Sequence, residues 1–171
     1  MKRIFFSMTF VLTVSVSLAQ TGNNAVGIGA DVYLPIRYFG EAYGVGVGGH
    51  VKGLYGVGTS GQATLTIGYA TFKGKSGLYE DQKYSFMPFL LGYRHHFTNL
   101  FVEPQLGLNS SKTKYKGDVV DKITSFTYAI NGGYTKSGFE VSIGLQNVGL
   151  TGHIALRGGV AYNVPIGEKK K

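Results

Sequence analysis

Seven side chains in this sequence could carry charge chemistry together: Asp31, His50, Lys52, Arg94, Glu103, Glu140 and Arg157. Three are acids, three are bases and one is a histidine, and each stands among small or apolar neighbours. Paired with one another, such groups neutralise a closed interior, where an unpaired charge is costly. Strung along a water-filled path, they would pass ions or protons instead. The balance of signs favours the paired arrangement, a salt-bridged plug.

Other chemistry finds thinner support. Cysteine is absent, which excludes a disulfide framework, a thiol nucleophile and a thiolate metal site. His95 and His96 are adjacent, and on a strand adjacent side chains face opposite ways, so they do not make a metal pair. Gly46-x-Gly48 is no phosphate loop, because no helix follows to offer its N-terminus. No catalytic residue, cofactor or metal site is expected. Two basic runs remain, Lys73, Lys75 and Lys83 in one and Lys112, Lys114, Lys116 and Lys122 in the other. They read as loops, either solvated or facing an anionic partner.

The elements that position these residues follow a period of two from Ala25 onward, the signature of strands. The first segment sets Val26, Ile28, Ala30, Val32 and Leu34 against Gly27, Gly29, Asp31 and Tyr33. The second sets Tyr43, Val45, Val47, Val51, Tyr55 and Val57 against Gly46, Gly48, His50 and Lys52. The third opposes Leu65, Ile67 and Tyr69 to Thr64, Thr66, Gly68 and Ala70. The fourth opposes Met87, Phe89, Leu91 and Tyr93 to Phe86, Leu90, Gly92 and Arg94. Four more follow, placing Leu106 against Glu103, Tyr128 against Asn131, Val141 against Glu140, and Leu156 against Arg157.

Which face looks inward decides the class. A soluble barrel keeps its bulky apolar residues inside. Here the second face is mostly Gly, Ala, Ser and Thr with isolated charges, which suits the narrow interior of a closed eight-stranded barrel. The first face suits lipid, with Tyr near the headgroups. The pattern predicts an all-β, eight-stranded, antiparallel up-and-down transmembrane barrel, its apolar face outward.

Connections agree. Tight hairpins are predicted at Thr59-Ser60-Gly61, Thr98-Asn99 and Lys136-Ser137. Longer loops are predicted from Lys73 to Lys83 and from Ser110 to Lys122, with intermediate ones at Pro35 to Ala42 and Asn147 to Gly152. Short turns on one rim and long loops on the other is the outer-membrane arrangement, the short rim being periplasmic and both termini with it. A two-residue turn at Thr98-Asn99 also puts Arg94 opposite Glu103 and Phe97 opposite Leu100.

Export is read from the first residues. Lys2 and Arg3 precede an apolar stretch from Ile4 to Leu18, and Ser17-Leu18-Ala19 supplies small residues before a cut between Ala19 and Gln20. The expected organisation is a signal peptide over 1–19 and one barrel domain over 20–171. The chain carries a formal charge of +8, and removing Lys2 and Arg3 leaves +6. An exported chain meets lipid and lipopolysaccharide phosphates rather than nucleic acid.

These residues resemble a known family. The pattern from Ala25 to Ile166 is similar to the small outer-membrane β-barrel proteins, including OmpX-like members and the OmpA-like transmembrane domain. The most specific local match is the last strand, Arg157-Gly158-Gly159-Val160-Ala161-Tyr162-Asn163-Val164. Gly159, Tyr162 and Val164 there resemble the C-terminal insertion signal of such barrels. In place of the usual terminal aromatic stands Val164, with Pro165 to Lys171 after it. Tyr33-Leu34-Pro35, Phe39-Gly40 and Tyr43-Gly44 resemble the first hairpin of "porin family" barrels. The resemblance implies an integral outer-membrane monomer, inserted by the barrel assembly machinery, without cofactor, and with a structural or surface-interaction role. An extracellular ligand on the basic loops would fit. Two alternatives stay open. Some small barrels act on lipid A through a His and a Ser two apart, whereas here Ala155 follows His153 at that spacing. A soluble secreted barrel holding an apolar ligand is the other.

Overall fold

Strand pairing in the computed structural model turns the period-two alternation into a closed wall. Residues 23–77, 79–149 and 152–166 are described. The expected cleavage site at Ala19 and Gln20 and the basic tail after Ile166 lie outside them. The chain runs β1 (Asn24–Ile36), α1 (Tyr38–Ala42), β2 (Tyr43–Val57), β3 (Gly61–Gly74), β4 (Gln82–Phe97), β5 (Leu100–Tyr115), β6 (Asp118–Lys136), β7 (Phe139–Asn147) and β8 (Ile154–Ile166). Each strand pairs antiparallel with its sequence neighbour, and β8 returns to β1, so the barrel has no free edge.

Inside and outside follow the alternation. Ile28, Leu91, Phe126 and Ile143 are 60–67 % exposed on the outer wall, whereas Arg94 and Glu103 within it are 1 % and 0 % exposed. This is the inverse of a soluble barrel. The ladder places Gly92 opposite Gln105, His95 opposite Val102 and Phe97 opposite Leu100, the register that the Thr98-Asn99 turn demands. The tight turns, Asn24 and Ile166 share one rim of the barrel.

Five expectations are corrected. The first tight turn is Gly58-Thr59-Ser60, one residue earlier than expected, and the third is Ser137-Gly138, one residue later. Positive φ decides both: Gly58 sits at 68°, and Ser137 and Gly138 at 52° and 85°, the left-handed pair that matches strand twist. Tyr43 faces the interior, not the wall. A bulge between Tyr43 and Gly46 inserts one residue and reverses the parity of what precedes it. The stretch Ser110 to Lys122 is no long loop. Thr113, Tyr115, Val119 and Ile123 favour strand, and Lys116-Gly117, at φ 51° and 101°, closes a tight turn, so β5 and β6 project as one long hairpin. The segment from Pro35 to Ala42 contains α1, a single turn of helix that periodicity over so few residues could not announce.

Candidate functional site: the barrel interior and its two ends

Six strands deliver the seven interior charges from alternate positions, and the closed wall brings them into two groups. Glu103 of β5 is the hub of the first. One of its oxygens accepts from Lys52 Nζ at 2.9 Å and from Arg94 Nε and Nη2 at 2.9 and 2.6 Å. The other accepts from Thr64 Oγ1 at 2.9 Å and Gln105 Nε2 at 2.8 Å. Arg94 also donates to Glu140 at 2.8 and 3.1 Å, and its guanidinium lies 3.8 Å from the centre of the Phe101 ring. Glu140 accepts a further bond from Asn163 Nδ2 at 2.9 Å. Two acids and two bases therefore neutralise one another in a closed quartet of ion pairs, the condition under which buried charge is tolerated.

Asp31, His50 and Arg157 form the second group. Arg157 Nε donates to Asp31 Oδ1 at 2.9 Å, and His50 Nδ1 lies 2.7 Å from Asp31 Oδ2. An ionised carboxylate only accepts, so the Nδ1 proton is assigned toward Asp31. That leaves His50 Nε2 against the backbone of Gly29, with no hydroxyl as its partner. Arg157 Nη2 also stands 3.0 Å from His50 Nδ1, so the guanidinium and the imidazole share the one carboxylate. Asn131 and Gln105 join the groups, the Asn131 amide donating to Gln105 Oε1 at 3.0 Å.

Toward the rim of the longer connections the interior changes character. Tyr33, Phe39, Phe72, Tyr84 and Phe86 form one buried aromatic cluster with Tyr43, Val148 and Ala155. Phe39, carried in by α1, is 1 % exposed, with ring centres 5.1 Å from Phe72 and 5.3 Å from Tyr84. His153, in the connection before β8, stacks on Phe39 at 4.9 Å. Burial there pushes its pKa down from the ordinary imidazole value. Tyr84 Oη and Asn109 Nδ2 both donate to the Val148 carbonyl, at 2.6 and 3.1 Å, which ties that connection down.

The sequence reading missed most of this cluster. Phe72 continues the inward parity of Thr64, Thr66 and Ala70, and Tyr84 that of Phe86. Carrying the alternation two residues further would have found both. Phe39 and the inward Tyr43 leave no such signal, since a helix turn and a bulge set them.

At the opposite rim, Asn24, Gln62, Arg94, His96, Thr135 and Asn163 line an open vestibule of about 540 Å³. His96 Nε2 is 2.8 Å from Gln62 Oε1, while His95 lies on the other face of its strand and packs against Phe97 at 4.7 Å. Among the described residues no group of three or more His, Asp or Glu side chains could hold a metal ion. Of the last-strand residues, Tyr162 and Val164 are on the outer wall, each 53 % exposed, and Gly159 lies inside beside Asp31 and Ser142.

Comparison with solved structures gives one answer. Ail, the attachment invasion locus protein of Yersinia pestis, superposes with TM-score 0.62 at 13 % identity, over 84 % of this chain and 99 % of that one. Neisserial surface protein A gives 0.54 at 14 % identity, over 85 % and 98 %. The N-terminal barrel domain of Pseudomonas aeruginosa OprF gives 0.53 at 20 % identity, over 84 % and 100 %. The fold is that of the small outer-membrane barrels. Identity this low carries architecture and not activity. No family model and no curated protein sequence matches the chain.

Proposed function

We propose that this chain is a non-enzymatic integral outer-membrane barrel with a structural or surface-interaction role, its interior filled by side chains rather than left as a pore. The observation that carries the reading is the inverted wall. A closed sheet with Ile28, Leu91 and Ile143 outward and Arg94 and Glu103 buried has lipid, not water, as its solvent. The tight-turn rim, with Asn24 and Ile166, is then periplasmic, and the longer connections face outward. The Gly159, Tyr162 and Val164 pattern would present β8 to the assembly machinery. Ail has been solved with the heparin analogue sucrose octasulfate, which makes polyanions a reasonable class of surface partner for a basic chain.

Each interior carboxylate is held by at least two donors, and the aromatic cluster caps one end, so ions have no free acid to hop along. Extraction from membranes only by detergent, heat-modifiable gel mobility and negligible conductance in planar bilayers are the expected results. A chain recovered in the soluble fraction would replace this reading with that of a secreted barrel. Loss of acyl chains from lipid A in the presence of the protein would restore the enzyme reading.

A further inference from the structure

The lysines read from sequence as loop residues are, for the most part, on strands. Lys73 is the next-to-last residue of β3, Lys83 the second of β4, Lys112 and Lys114 are on β5, and Lys122 is on β6. All five share the outward parity of Met87, Leu108 and Phe126, and all five are exposed. The ladder sets them against each other: Lys73 faces Lys83, Lys83 faces Lys114, and Lys112 faces Lys122. Like charges directly opposite destabilise a sheet. Among the described residues none of the five forms an ion pair. A wall that needed only solubility would mix signs here.

What lies around the lysines narrows their partner. Ser85 pairs with Lys112, and a notch of about 240 Å³ opens between Lys112, Lys114, Lys122 and the apolar Met87 and Tyr69. Directly below, on the same strands, Leu91, Leu106, Leu108 and Phe126 line a shallow groove over Pro104 and Gly107. From Leu100 to Lys112 the strand rises about 40 Å along itself, which at the usual tilt is about 30 Å along the barrel axis. That is roughly one hydrocarbon thickness, so the ammonium groups stand at headgroup height.

We propose that this face of β3 to β6 binds a phosphorylated glycolipid of the outer leaflet, its phosphates between the opposed lysines and an acyl chain in the groove beneath. The proposal rests on the membrane reading above and adds a site to it. A phosphate between Lys112 and Lys122, or between Lys83 and Lys114, converts each repulsive pair into a clamp. The source is lipid rather than a soluble polyanion because the charges stand on the lateral wall directly above an apolar groove. Lys75 and Lys116, in the connections beyond them, are the residues a soluble polyanion would meet first.

The test uses the chain refolded into phosphatidylcholine bilayers, with diphosphoryl lipid A or its dephosphorylated form added as probe, and heat-modifiable mobility as the measure of unfolding. Diphosphoryl lipid A is expected to raise the unfolding midpoint of the unaltered chain, and the dephosphorylated form to leave it unchanged. Lys112→Gln with Lys122→Gln should weaken the phosphorylated probe about tenfold or more. In phosphatidylcholine alone the same double variant should be at least as stable as the parent, because a repulsion has been removed. Lys116→Gln should change neither result. Equal stabilisation by both probes, or an undiminished response in the double variant, would overturn the site. Stabilisation by soluble sucrose octasulfate as large as by lipid A would move the ligand to a soluble polyanion. A chain that shows no folded band in any bilayer would instead remove the membrane reading beneath it.

Discussion

Glu103 shows at the scale of one residue how the barrel is held. It is fully buried and accepts bonds from Lys52, Arg94, Thr64 and Gln105. Glu103→Ala should therefore cost about 3–5 kcal/mol, because Lys52 and Arg94 are left with one carboxylate, Glu140, between them. Removing Arg94 and Glu103 together should recover only part of this, since Lys52 would rely on Glu140 at 3.9 Å. Urea unfolding of the single and double variants in detergent measures the coupling, and strictly additive losses would contradict the quartet. Gly107 makes a second residue-scale case. A Cβ there would strike the Phe89 carbonyl and the Leu90 Cα, both backbone, so Gly107→Ala cannot be relieved by a rotamer and should destabilise measurably. Legibility at this scale was high for the charges. Arg94 opposite Glu103 follows from a two-residue turn and parity alone. What parity could not foresee is that Glu140 of β7, two strands beyond Glu103 and on a strand paired with neither β2 nor β4, meets Lys52 and Arg94 across the interior and completes the set.

Elements were legible where alternation was long and illegible where it broke. The eight strands, their faces and the Thr98-Asn99 turn follow from period two over many residues. The inward Tyr43 depends on a bulge, and α1 on five residues, Tyr38–Ala42, which carry too little pattern to show a helix. The β5–β6 hairpin was hidden by its lysines, which suggest a solvated loop although they alternate as a strand does. On β7, Ile143 is 60 % exposed, and Ile143→Arg should cost about 2–4 kcal/mol near the midplane, read as lost folding into bilayers. A harmless substitution would mean that the wall does not meet hydrocarbon. Phe39→Ala on α1 should cost about 3 kcal/mol through the aromatic cluster, seen as faster proteolysis of the segment around α1. His153 gives the same end a pH dependence. Its folded pKa is lowered, so below about 6.5 the unfolded chain takes up the proton first and stability falls with pH. His153→Phe should flatten that part of the unfolding profile, and an unchanged acid slope would show that the imidazole is not confined.

At the scale of the whole molecule, an outer wall facing lipid and an interior closed by side chains are the two properties on which the proposed function depends. The chain has no cysteine, so single cysteines can be introduced along β5 and spin-labelled without a background. Labels at Val102, Pro104, Leu106 and Leu108 should collide with oxygen dissolved in the bilayer and hardly at all with a water-soluble nickel reagent. Labels at the inward Gln105 and Ser111 should be poorly reached by either. A strict period of two in oxygen accessibility, with its maximum midway along the apolar rows, is the predicted result. Nickel accessibility at Leu106 and Leu108, or at Gln105 and Ser111, would contradict it, the first by putting water outside the barrel and the second by putting an open channel within.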